Sequence, residues 1–482
     1  MPPSKVVIDT DPIKKKKPCP NHAEQGVDDI LALLLALSSR SEEIEVKLIS
    51  LTFGNIDVRS CLRNLVSLFH TIERELKWRR EHGKPEGFDS LKKCKPTIAV
   101  GANRPLEDEM MMADYFREAF YRLVTLSTFN GAATLLTDRY LALHPHLTPE
   151  QTWESLFFPL TQNGTTAATA KAALDHSHDS LFIASREPAH KEMLRILKEN
   201  DPETITIVAI GPLTNLATAA AEDPETFLRA KEVVVMGGAI DIPGNTPRTT
   251  RTNEHKIHQV TPTAEFNTYA DAAAAARVFA LTSLRPTSTM PPINPSLTTH
   301  QLPAYPATLS KQLTLKLFPL DITHKHNLTR GHFHSKVGPM ASANFPLAEW
   351  LSIILEHSFA TLDALHPGHD GDKASLSLHD PLCVWYVLTT SGQQQKQRQG
   401  GWQPSAGSPE DIRVETTGQW TRGMCVVDRR SRKRRDDDLV SFSDNGHWLS
   451  NVSGNRVVRM VMSPGAARFG EEMLDRIFGM EG

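Results

Sequence analysis

The feature that most restricts the fold is a series of short, continuously apolar, β-branched runs at 5–9, 46–52, 97–101, 204–210 and 232–236. A strand with one wet face alternates apolar and polar residues, whereas a strand covered on both faces is apolar throughout. Segments of helical character lie between these runs, at 28–37, 58–77, 213–221 and 270–280. That order predicts an α/β fold: an open, mostly parallel sheet flanked by helices. With 482 residues, 40% of them hydrophobic, there is material for a large core, and disorder of the whole chain is excluded. Length alone would allow about three domains, but the pattern reads as one α/β domain over 1–482.

Charge narrows the function. Lys and Arg number 53 against 56 Asp and Glu, for a net charge of −3, without the basic excess of a general nucleic-acid binder. The longest apolar run, 30–37, is far too short to span a bilayer, and no charged-then-apolar leader opens the chain. Five widely spaced cysteines, Cys19, Cys61, Cys94, Cys383 and Cys425, include no Cys-x-x-Cys pair. They read as reduced thiols in a cytoplasmic protein without a disulfide framework. The basic runs at 14–17 and 429–435 read as solvated loops, with a targeting signal or phosphate patch as the alternative. Asp436, Asp437 and Asp438 follow the second run at once. Segment 391–411, rich in Gln, Gly, Ser and Pro, reads as a flexible loop.

Sheets of this kind place their chemistry at the carboxyl ends of the strands. Asp9-Thr10-Asp11-Pro12 stands at the first such end, and Gly26-Val27-Asp28-Asp29 leads into the next helix. Clustered carboxylates oppose one another's ionisation unless a cation neutralises them. A hard divalent ion such as Ca²⁺ takes six to eight oxygens and removes that difficulty. Two further polar groups lie far along the chain: Ala264-Glu265-Phe266-Asn267, and His379-Asp380-Pro381 before an apolar helix. Taken singly, both read as helix starts, Asp380 being a good N-cap ahead of a proline.

Together these clusters resemble the inosine/uridine-preferring nucleoside hydrolases, whose signature strand ends in Asp-x-Asp-Pro-Gly-x-Asp-Asp. Further matches follow in order: Phe53-Gly54-Asn55, Gly101-Ala102, Ile210-Gly211-Pro212-Leu213-Thr214-Asn215, Val235-Met236-Gly237-Gly238, Gly244-Asn245, and His379-Asp380-Pro381-Leu382. The stretch 415–428 looks like that of fungal-type members, and extra C-terminal strands are expected. The resemblance implies hydrolysis of the N-glycosidic bond of purine or pyrimidine ribonucleosides, and a dimer or tetramer. It implies Ca²⁺ held by Asp9, Asp11, Asp29, Asp380 and the carbonyl of Ile210. Asp11 would be general base for a water on that ion. Asp28, Asn55, Asn245, Glu265 and Asn267 would grip the ribose, Met236 and Phe266 would line the pocket, and His379 would face the leaving base.

The chemistry of these residue types agrees. Loss of the base leaves positive charge on the ribose, as in glycosidases, and a carboxylate-rich pocket favours it. A histidine suits protonation of the departing base. The rival class is the aspartate-nucleophile phosphatases, which also open with Asp-x-Asp, but Pro12-Ile13 follows here and the distal motifs have no part in that scheme.

Three departures fall at the expected site. Residues 13–25 separate Pro12 from Gly26, 246–259 separate Asn245 from Val260, and 117–143 replace a base-covering loop. Both clean insertions end in glutamine, Gln25 and Gln259, whose codon CAG ends as a splice acceptor does. They read as retained introns, and the uninterrupted chain is expected to be the better enzyme. The alternative is an impaired homologue that binds metal or nucleoside without turnover.

Overall fold

Each apolar run forms a strand: β1 (Ser4–Thr10), β2 (Ile44–Leu51), β3 (Thr97–Val100), β5 (Ile205–Ala209) and β6 (Glu232–Met236), with β4 (Ile183–Ala184) between the third and fourth. The computed structural model describes residues 2–12, 27–107, 154–158, 181–246, 261–291, 302–365, 371–390, 401–430, 432–436, 444 and 446–479. Insertions 13–25 and 117–143 lie outside the described residues, as does 246–259 apart from Thr246.

The reason for continuous apolarity is visible in the side chains. Val6 and Ile8 of β1, Val208 of β5 and Val234 of β6 enter one apolar layer. Their neighbours Val7, Ile207, Val233 and Val235 enter a second layer on the opposite face. Each full burial of a residue of this size is worth about 1.5–3 kcal/mol, so neither face tolerates a charge.

Two more strands extend the sheet: β7 (Leu315–Phe318) and β13 (Val458–Met462). Neither position was read from the sequence, because Lys316 and Arg459 break their apolar runs. The Lys316 ammonium is held 2.8 Å from Glu232 Oε2. Together with β10 (Gln403–Pro404) they complete a nine-stranded sheet in the order β10-β13-β7-β6-β5-β1-β2-β3-β4. Every pairing is parallel except the antiparallel edge pair β10–β13. Two antiparallel pairs lie outside it: β8 (Asn327–Thr329) with β9 (Ser375–Ser377), and the C-terminal β11 (Ile412–Val414) with β12 (Cys425–Val427). The expected extra C-terminal strands are therefore present.

Of the segment 391–411, only residues 401–411 are described. They include β10, and the Trp402 indole donates to Thr389 Oγ1 at 2.8 Å. Composition there lacks strand propensity; β13 supplies the pairing partner.

Helix α1 (Asp28–Leu37) matches expectation, and α2 (Val58–Glu81) runs one turn further than expected. A buried ion pair, Arg79 Nε to Glu75 Oε1 at 2.7 Å, secures that added turn. The run expected at 270–280 is broken at Asp271, whose side chain accepts from Ala274 N and caps a separate helix, Ala272–Ala280. Helix α1 lies along the helix His379–Thr390, and so the two acidic helix starts meet. Among the described residues no helix is long and apolar enough to cross a membrane.

Candidate active site

Strand register sets the floor of the site. Asp9 is level with Ser50 of β2 and Ala209 of β5. The main chain continues these pairings past the strand ends, with Ile210 N donating to Asp9 O at 2.8 Å and Thr52 N to Thr10 O at 3.1 Å. Asp11, Gly54-Asn55 and Ile210-Gly211 therefore leave the sheet side by side.

The acidic residues are all buried: Asp9, Asp11, Asp28, Asp29 and Asp380. Among the described residues, Asp28, Asp29 and Asp380 offer carboxylate oxygens within 4.8 Å of one another. Asp28, expected to grip ribose, thus stands with the expected cation ligands, while Asp9 and Asp11 lie just outside this group. Asp11 is tied to it by its backbone N, which donates to Asp29 Oδ1 at 3.2 Å; Thr10 Oγ1 donates to the same oxygen at 2.5 Å. Asp11 Oδ2 accepts from Asn55 twice, from the backbone N at 2.7 Å and from Nδ2 at 2.8 Å. Two glycines make room for this carboxylate: a Cβ at Gly54 would fall 2.1 Å from Asp11 Oδ2, and one at Gly211 would fall 2.6 Å from Oδ1.

Electrostatics state the need for a cation. Burial raises the Asp9 carboxyl to about 7. Burial, then the charge of Asp28, raises Asp29 to about 8. Asp11 is pushed well above the carboxylate range by burial and by Asp29, and Asp380 by burial and by Asp28. Asp9 Oδ2, Asp11 Oδ1 and Asp29 Oδ2 are buried yet accept no hydrogen bond. Unpartnered buried oxygens are costly. A set made only of hard oxygens fits a cation of the Ca²⁺ or Mg²⁺ kind.

Above this floor one pocket is lined by Asp28, Asn55, Ile210, Met236, Asn245, Glu265, Phe266, Asn267, His379 and Asp380. It gathers every residue expected to touch nucleoside. Glu265 is more than a pocket wall: it caps the short helix Phe266–Ala270, accepting from Asn267 N at 2.7 Å, Thr268 N at 2.9 Å and Gly238 N at 3.0 Å. Its reading as a helix start was thus correct. Asn245 Oδ1 accepts from Phe266 N at 2.9 Å, which leaves its amide NH₂ for a ligand. Asn267 Nδ2 donates to Ile210 O at 3.1 Å and lies 3.5 Å from Met236 Sδ.

Asp380 sits in the first turn of its helix, with His379 as the first residue of that helix. His379 Nδ1 lies 2.7 Å from Thr323 Oγ1, which leaves Nε2 as the ring atom available to a ligand. Burial, aided by the nearby His324 and His326, pushes its pKa down to about 3. The imidazole is therefore neutral at physiological pH. Sequence reasoning missed Thr10, Ser50 and Thr323, and gave Asn215 no role. For Thr10 and Ser50, polarity next to apolar strand residues was the available signal.

A profile of the family described as inosine-uridine preferring nucleoside hydrolase matches residues 6–445. An uncharacterised protein of Schizosaccharomyces pombe is 26% identical over 430 residues, covering 88% of this chain and 89% of that protein. The pyrimidine-specific ribonucleoside hydrolase RihA of Salmonella enteritidis is 26% identical over 428 residues, covering 88% of each. Among solved structures, the purine-preferring ribonucleoside hydrolase from Gardnerella vaginalis superposes with a TM-score of 0.54 at 18% identity over 99% of both chains. The plant nucleoside hydrolase PpNRh1 gives 0.52 at the same identity and coverage. These two show the shared fold.

Fold, pocket and profile together define a ribonucleoside hydrolase, an enzyme of the N-glycosyl hydrolase class. More narrowly, the chain belongs to the inosine-uridine preferring nucleoside hydrolase family.

Proposed function

We propose that this protein cleaves ribonucleosides to ribose and free base with Ca²⁺ bound at the floor of the pocket. The observation that carries the reading is the meeting of Asp28, Asp29 and Asp380 beneath a pocket lined by Asn55, Asn245, Glu265 and Asn267. Asp9, Asp11, Asp29, Asp380 and the Ile210 carbonyl would hold the ion. When bound, the cation supplies positive charge that neutralises the carboxylates and acidifies water beside it.

The chain's own groups do the rest. Asp11 takes the proton of the attacking water, a single transfer to a positioned carboxylate. Asn55 holds Asp11 in place through two donors, and so fixes where that proton is received. Asp28, Asn55, the Asn245 amide, Glu265 and Asn267 orient the ribose hydroxyls. The buried carboxylates also stabilise the positive charge that grows on the sugar. Phe266 and Met236 form the apolar wall, and the neutral His379 offers a hydrogen bond from Nε2 to the base as it departs. The four described cysteines, Cys61, Cys94, Cys383 and Cys425, are free thiols, which supports a cytoplasmic setting.

The test is a reducing-sugar assay with inosine, uridine, cytidine and guanosine, with and without Ca²⁺. Ribose release that needs the cation is the expected result. Absence of ribose from all four at saturating Ca²⁺ would overturn the reading.

A further inference from the structure

Asn215 lies in the first turn of the helix Thr214–Glu222, is 1% exposed, and touches none of the pocket. Its Nδ2 is shared among three acceptors: Asp9 Oδ1 at 2.8 Å, Leu51 O at 3.0 Å and Ser50 Oγ at 3.1 Å. Its Oδ1 accepts from Ala102 N at 2.8 Å. One side chain therefore binds the ends of β1 and β2 and the segment that follows β3. Ser50 Oγ donates to Asp9 Oδ1 as well. The two Asp9 oxygens are made unlike by this: Oδ1 receives two hydrogen bonds, while Oδ2 is buried and receives none.

The surroundings keep the amide where it is. A Cβ at Gly101 would fall 2.2 Å from Asn215 Oδ1 and 2.4 Å from Nδ2, so only glycine leaves the space it occupies. An amide is also the side chain this position requires. It must donate to a carboxylate and a carbonyl while accepting from a backbone N–H, and neither a carboxylate nor an ammonium does both.

We infer that Asn215 is a positioning residue of the cation site: with Ser50 it pins Asp9 and so fixes the strand ends from which Asp11 and the Ile210 carbonyl extend toward the ion. The inference rests on the functional reading above. Groups that orient a ligand through hydrogen bonds change metal affinity without touching the metal. A side chain that merely joined strand ends would alter stability alone.

The experiment uses the full chain as wild type, Asn215→Ala, Asn215→Ser and Gly101→Ala, each freed of metal by chelation. Calorimetric titration with Ca²⁺ is read beside melting temperature and the kcat and KM for uridine and inosine. Asn215→Ala and Gly101→Ala are expected to bind Ca²⁺ about 10- to 100-fold more weakly. Their kcat should fall more than KM changes, and raised Ca²⁺ should restore part of it. Asn215→Ser, which keeps a donor in a smaller side chain, should fall between, and it carries the test with Gly101→Ala if the alanine at 215 does not fold. Wild-type Ca²⁺ affinity in these variants, with only a lower melting temperature, would overturn the inference and leave the functional reading intact. A wild-type chain that neither binds Ca²⁺ nor releases ribose would overturn both.

Discussion

Asp28 and Asp380 stand 352 positions apart in sequence, yet the backbone N of Asp380 donates to Asp28 Oδ2 at 3.3 Å. Both lie in the first turn of a helix, α1 and His379–Thr390, and these helices pack side by side. The positive ends of two helix dipoles thus face the carboxylates, offsetting part of the repulsion between them. The remainder is left for a cation, and several consequences can be measured.

Asp380→Asn removes one of the three converging carboxylates while keeping its shape. The metal-free protein should then be as stable as wild type or more so, by up to about 1 kcal/mol, because a buried repulsion is relieved. Calcium affinity should collapse, and ribose release should drop by roughly 100-fold or more. Denaturant melts and calorimetry on the same sample separate the two effects.

Removing metal with a chelator should abolish turnover and lower the melting temperature. Restoring Ca²⁺ to a hundred times its dissociation constant should return about 2.7 kcal/mol of stability by mass action. A melting curve indifferent to both treatments would contradict the cation site.

Gly54→Ala places a Cβ 2.1 Å from Asp11 Oδ2 and 3.0 Å from Pro212 Cδ. Asp11 must leave its position between Asn55 and Gly211. Turnover is expected to fall by about 100-fold or more, since a base displaced by an ångström loses its alignment. The change in far-ultraviolet circular dichroism should be negligible.

His326 gives a further pH dependence. It is 1% exposed, with Nδ1 3.0 Å from Ile322 O and Nε2 2.6 Å from Ser463 Oγ. Burial pushes its pKa from 6.5 down to about 4. The unfolded chain therefore binds this proton first as pH falls. Its contribution to stability is complete above pH 6.5 and is lost progressively toward pH 4, by about 3 kcal/mol. Urea midpoints of wild type and His326→Gln, compared at pH 7.5 and pH 4.5, should show a gap that changes by about that amount.

The insertions supply a fifth outcome. Pro12 O accepts from Asn64 Nδ2 at 2.9 Å just before 13–25, and Gly244 N donates to Pro262 O at 2.9 Å across 246–259. The flanks of both are thus already held by the core. Deleting 13–25 and 246–259 should tighten Ca²⁺ binding and raise turnover, as measured by calorimetry and ribose release. Equal values for the two chains would show that the insertions are tolerated and remove the case for an impaired homologue.

The sequence by itself determined the central strands of the sheet and put forward the candidate residues of the site. Continuous apolar runs at β1, β2, β5 and β6 admit only strands covered on both faces, and a cluster of acids at a strand end admits few companions. Local pattern reached its limit where a residue's partner is distant. Lys316 hid β7 until Glu232 accounted for it, and the strand pairing of Gln403–Pro404 depends on β13. Asp28 was legible as a candidate ribose contact, but only the packing of α1 set it beside Asp380. Asn215 stood in a visible motif, but its partners Asp9, Ser50, Leu51 and Ala102 are more than a hundred residues away. Hydrogen bonds and charge repulsion act over a few ångströms of space whatever the separation along the chain, so only the folded arrangement could decide which acid faces which.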